Sequence, residues 1–86
     1  MMSEECAGYA RELRRLLRTG TLAAIKATVD LGGGATLPLR AALRIALSDL
    51  DELTIQEQEG QEIDPERWQR LGGELSYLYW LAIQAR

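Results

Sequence analysis

Asp64-Pro65-Glu66-Arg67-Trp68-Gln69-Arg70-Leu71-Gly72-Gly73-Glu74-Leu75-Ser76-Tyr77-Leu78-Tyr79-Trp80-Leu81-Ala82-Ile83 is the stretch on which the reading of this chain turns. Its opening has the marks of a helix start: an Asp to cap, a Pro suited to the first helical position, and an acid facing the positive end of the dipole. Trp68, Leu71, Leu75, Leu78 and Ala82 then recur three and four apart, which places them on one side of a helix. From Tyr77 to Ile83 every residue is apolar or aromatic, so this helix must be covered on more than one side and is expected to be the central element of the fold. Gly72-Gly73 is its weak point, because two interior glycines cost about 2 kcal/mol relative to Ala. Either the helix breaks there or a neighbour packs close; a continuous or mildly kinked helix is the expectation.

Upstream, Ser3-Glu4-Glu5 reads as a cap and an acidic first turn, followed by Cys6, Tyr9, Ala10, Leu13, Leu16 and Leu17 at helical spacing, with Gly20 as the stop. Thr21 is placed to cap a second helix through Val29, with Leu22, Ile25 and Val29 on one face. The β-branched Thr28 and Val29 leave a strand open as the alternative. Gly32-Gly33-Gly34 ends that element, and Pro38 fits the first position of a third helix carrying Leu39, Leu43, Ala46, Leu47, Leu50 and Leu53. If that helix stopped near Leu53, Asp49, Asp51 and Glu52 would oppose its negative pole. Running on to about Gln58 relieves the conflict. A polar hairpin over residues 55–63 is the alternative to an exposed acidic connector. The expected fold is therefore all-α: one domain, an antiparallel bundle of four helices, or of three plus a broken fourth.

Eighty-six residues lie near the lower limit for a chain that folds on its core alone. A single cysteine, Cys6, excludes an intramolecular disulfide and suits a reducing cytoplasm, as does an acidic start without a hydrophobic signal core. No apolar run approaches the ~20 residues that a membrane span needs. The absence of histidine removes the commonest general base and metal ligand, which weakens any enzymatic reading, and no metal or cofactor is expected.

The net charge of −3 conceals a polarity. Basic residues prevail up to Arg44, whereas Asp49, Asp51, Glu52, Glu57, Glu59, Glu62, Asp64 and Glu66 follow with no Lys or Arg between Ile45 and Glu66. Arg11, Arg14, Arg15 and Arg18 share one face of the first helix, a stripe fit to contact phosphates or an acidic partner, or to pair with the chain's own acids. The acidic segment suits a basic partner or simple solvation. It fails as a calcium loop, since Thr54 stands where the turn needs Gly and Gly60 where the chelating Glu belongs. The triple glycine lacks the Gly-Lys-Ser/Thr of a phosphate loop and reads as a turn.

These features favour a non-enzymatic interaction module, a regulator, adaptor or inhibitor of a larger protein assembly, which would include one that handles nucleic acid. Glu57, Glu59, Glu62, Tyr77, Tyr79 and Trp80 are the candidate protein-binding residues, and a second copy of the chain is a candidate partner. The alternative is a helix-turn-helix repressor over residues 21–53, with Arg40 and Arg44 facing DNA.

Overall fold

The computed structural model describes residues 2–20, 28–30 and 34–84. Among them the chain forms three helices and a two-stranded antiparallel sheet: α1 (Glu4–Arg18), β1 (Thr28–Asp30), β2 (Thr36–Pro38), α2 (Leu39–Gln58) and α3 (Pro65–Gln84).

α1 begins as its residues dictate. The Ser3 hydroxyl accepts the Cys6 N–H at 3.3 Å, Glu4 and Glu5 occupy the first turn, and Arg15 and Arg18 the last. Gly20, at φ 73°, takes the left-handed conformation just past its end.

The expected second helix is not what its last residues form. Residues 21–27 lie outside the described residues, but Thr28, Val29 and Asp30 are a strand paired with Pro38, Leu37 and Thr36 respectively. The four-helix bundle is thus corrected, among the described residues, to three helices and a pair of antiparallel strands. The physical reason is local. β-branched Thr28 and Val29 suit extended backbone, and antiparallel pairing with residues 36–38 holds them in it. Alternation does the rest, turning Val29 inward at 1% exposure while Thr28 and Asp30 face out. A helix-turn-helix over residues 21–53 would need helix where this strand runs. Pro38 ends β2 and precedes the first turn of α2, one position outside the helix.

α2 does run to Gln58, which carries Asp49, Asp51 and Glu52 away from its negative pole. It closes without a basic residue in its last turn. Instead Gly60 (φ 85°) donates to the Glu57 carbonyl at 3.1 Å and Gln61 to that of Gln56 at 3.0 Å, so the terminal carbonyls are satisfied by backbone alone. Residues 55–58 are therefore helical, not part of a hairpin. A short acidic turn leads to α3, where the Asp64 carboxylate accepts the Glu66 N–H at 3.0 Å.

α3 is unbroken, and both α1 and α2 pack on it. Leu53, near the end of α2, lies beside Arg67 and Leu71, near the start of α3, so these two helices are antiparallel. Cys6 meets Gly72 and Tyr9 meets Tyr79, so α1 and α3 run in the same sense. Leu13, Leu16, Leu39, Leu43, Leu75 and Leu78 fill the space between the helices, each at 2% exposure or less, and Val29 seals it from the side of the strands. Ala10, Ala42, Ala46 and Ala82 are the small residues among them.

The two interior glycines differ. A Cβ on Gly72 would lie 3.1 Å from Cys6 Sγ, whereas one on Gly73 would meet nothing within 4 Å. Gly72→Ala gains helix propensity but must displace the thiol, so its urea midpoint is expected to fall below that of Gly73→Ala, by about 1–3 kcal/mol of overpacking. Gly73→Ala should exceed the parent by about 1 kcal/mol. Adding Cys6→Ala to Gly72→Ala should recover most of the loss, a coupling that a double-mutant cycle reads directly.

Candidate interaction surface

The Arg stripe lies where α1 borders α2. Arg14 reaches Asp51 on α2 at 2.6 Å, and Arg15 pairs with Glu12 one turn back on its own helix. Both pairs are largely solvated, so each adds little to stability. Two of the four arginines are thus neutralised by the chain's own acids. Arg11 and Arg18 have no acidic partner among the described residues. With Arg14, Leu17 and Leu47 they line an open groove of about 530 Å³.

Glu57, Glu59 and Glu62 stand exposed around the α2–α3 turn, at the opposite end of α3 from its aromatic cluster. Tyr77 lies 12 positions beyond Pro65, roughly 18 Å along the helix. The six candidate protein-binding residues therefore do not form one site. Tyr79 separates from its neighbours too. It is half-buried and stacks on Tyr9 of α1, with ring centroids 4.7 Å apart and planes at 26°. The Tyr9 hydroxyl donates to Glu5 at 2.6 Å, and that hydrogen bond, more than its desolvation, pushes the phenol pKa upward. Tyr79 belongs to the seam between α1 and α3.

Tyr77 and Trp80 remain, 49% and 55% exposed, and the structure adds Ile83 at 44%. All three sit on the side of α3 away from Leu71, Leu75, Leu78 and Ala82. This outer face has its own periodicity: Glu66, Arg70, Gly73, Tyr77, Trp80 and Gln84 alternate four and three apart, the spacing of a helix–helix seam. Each of them is exposed. Beyond Glu74 no described residue of α3 carries a charge. Gly73, Arg70 and Ile83 are not among the candidate binding residues read from sequence. The alternating spacing is present in the sequence, but four of the six seam residues are polar or glycine, so apolar periodicity does not reveal it.

Two other features border this face. Asp49, Leu53, Arg67, Arg70, Leu71 and Glu74 line a shallow groove of about 240 Å³ between α2 and α3. There burial chiefly, then the negative charge of Asp49, raises the Glu74 pKa, against the pull of Arg70. On the other flank a cleft of about 550 Å³ lies between the start of α1 and α3, lined in part by Met2, Cys6, Tyr9, Trp68, Gln69 and Ser76. Among the described residues no three His, Cys, Asp or Glu side chains converge as a metal site would require, and no helix is long and apolar enough to cross a membrane.

Compared with protein-family models, with curated proteins and with solved structures, the chain matches none.

Because the folded state holds the Glu74 proton more tightly than the unfolded chain does, this residue's contribution to stability falls as pH rises from the ordinary Glu range through the raised pKa. Glu74→Gln removes that decline. Its melting temperature is expected to equal the parent's near pH 4 and exceed it near pH 7, checked by thermal unfolding across about that range.

Proposed function

We propose that this chain is a non-enzymatic interaction module, a regulator, adaptor or inhibitor within a larger protein assembly, and that the outer face of α3 is its docking surface. The observation that carries the reading is the ridge of Tyr77, Trp80 and Ile83: large, half-exposed and without a charged neighbour on its own helix beyond Glu74. Aromatic residues free of charge are what the centres of protein interfaces use, because covering them releases water without desolvating an ion. Trp and Tyr each present an area of order 150–250 Å², enough to dominate the energetics of a small contact. The acidic turn at Glu57, Glu59 and Glu62 acts at a distance from this ridge. Its role is to steer a basic surface toward the module, an effect on association rate more than on affinity.

A photo-crosslinking amino acid in place of Trp80, introduced in the native cell, is expected to give a covalent protein adduct. The same residue in place of Ser48, exposed on α2, should give none. With the captured partner purified, Trp80→Ser should weaken binding about thirtyfold, the loss of an interface anchor, while the circular dichroism melt stays unchanged. The acid-to-amide triple variant Glu57→Gln, Glu59→Gln, Glu62→Gln should chiefly slow association at low salt. Equal labelling from positions 80 and 48 would remove the basis of the proposal.

A further inference from the structure

Resting on that docking face, we infer that its occupant is a second copy of this chain, with the two α3 helices paired antiparallel about a two-fold axis at Leu75. The argument is one of complementarity along the seam. Inverting the helix about Leu75 sets Gly73 opposite the partner's Tyr77, Arg70 opposite the partner's Trp80, and Glu66 opposite the partner's Gln84. Each pairing is then repeated by symmetry, as an isologous contact requires.

All three pairings are chemically favourable. Gly73 has open space where a Cβ would stand, so a ring from a facing helix can settle against bare backbone. Arg70, exposed and held by no ion pair among the described residues beyond the longer-range pull of Glu74 one turn on, supplies a cation to the face of an indole that its own chain leaves 55% exposed. Glu66 meets a neutral amide. No like charges oppose one another, although the chain carries a net −3 and its acids crowd the α2–α3 turn. A parallel pairing does worse, because it stacks Arg70 on Arg70 and Glu66 on Glu66. Sliding the antiparallel pair by one heptad sets Tyr77 against the partner's Trp80 but carries Arg70 off the described end of the partner helix. The register about Leu75 uses the whole of α3.

Gly73 is the second, independent observation. Gly72 is explained inside the monomer by its approach to Cys6, but Gly73 faces outward with nothing against it. An interior helical glycine that serves no contact in the monomer gains one here, as the hollow that receives the partner's Tyr77. Antiparallel pairing also sends the two acidic turns to opposite ends of the dimer, so that it can engage two basic surfaces at once.

Sedimentation of the full chain from micromolar to millimolar concentration tests the inference. The parent is expected to pass from monomer to dimer. Gly73→Leu fills the hollow without meeting anything in its own chain, so it should abolish the dimer while the melting temperature at low concentration holds or rises. Arg70→Glu should weaken association at least tenfold. Spin labels at Gln84→Cys, with Cys6→Ala to remove the native thiol, should lie about 27 Å apart along the axis in the antiparallel dimer. A parallel one would bring them to about 10 Å. A monomer throughout the range, a dimer untouched by Gly73→Leu, or the short spacing would each overturn the inference. If the chain is monomeric yet crosslinks a different protein through position 80, the docking face stands and only its occupant is wrong. If it is monomeric and position 80 captures nothing, both readings fall.

Discussion

The approach of α1 to α3 at Cys6 and Gly72 is the contact on which the arrangement of the helices depends. A thiol donates to the Gly72 carbonyl at 3.7 Å and lies 3.1 Å from where any larger residue at 72 would place its Cβ. With α1 held there, Tyr9 falls onto Tyr79, and Leu13 and Leu16 reach the interior that Leu75 and Leu78 share with Leu39 and Leu43. The core holds no phenylalanine and has leucine and alanine as its staple. Trp68 is the large ring buried among them, with Tyr79 packed against the cluster. A helix with apolar residues on so much of its circumference needs cover from two directions, and α1 and α2 supply it. What they leave bare is the stripe from Gly73 to Gln84.

Local chemistry made the helices legible in the sequence. Ser3 and Asp64 cap where a short oxygen-bearing side chain precedes acids, Gly20 and Gly60 take the positive φ that ends a helix, and Pro65 sits where its missing N–H costs nothing. The extension of α2 to Gln58 followed from the conflict between its acids and a premature negative pole. The strand pair was not legible for an equally physical reason. Three-residue strands are too short for alternation to be distinguished from helical spacing, and Val29 satisfies both patterns. What decides between them is the pairing of Val29 with Leu37, a cross-strand contact that periodicity along the chain does not encode.

The candidate site was half legible. That some of Tyr77, Tyr79 and Trp80 are exposed is legible, because three rings one and two residues apart cannot all face one small core. Which of them turns inward is not, since Tyr79 is placed by Tyr9, a residue 70 positions earlier. The charge polarity was visible as well, but its geometry was not. The first arginines of the chain border α2, where Asp51 neutralises Arg14, and Glu57, Glu59 and Glu62 gather at the far turn. The length of α3 holds these acids and the aromatics apart.

Adjacent residues in a helix point about 100° apart, so a glycine pair cannot answer a single packing need. Gly72 and Gly73 show this directly. The first faces α1 and is fixed by the thiol; the second faces solvent, four residues before Tyr77 and seven before Trp80, on the same ridge. A helix held together only by its own monomer would be served as well or better by alanine at the second position, with less backbone entropy to lose. The physical logic of the outer glycine therefore lies outside the monomer, in the depth to which another helix can approach there. A surface with a hollow beside two half-exposed rings is shaped on both counts, one part to receive and the other to be received, which is the condition for a surface to complement itself.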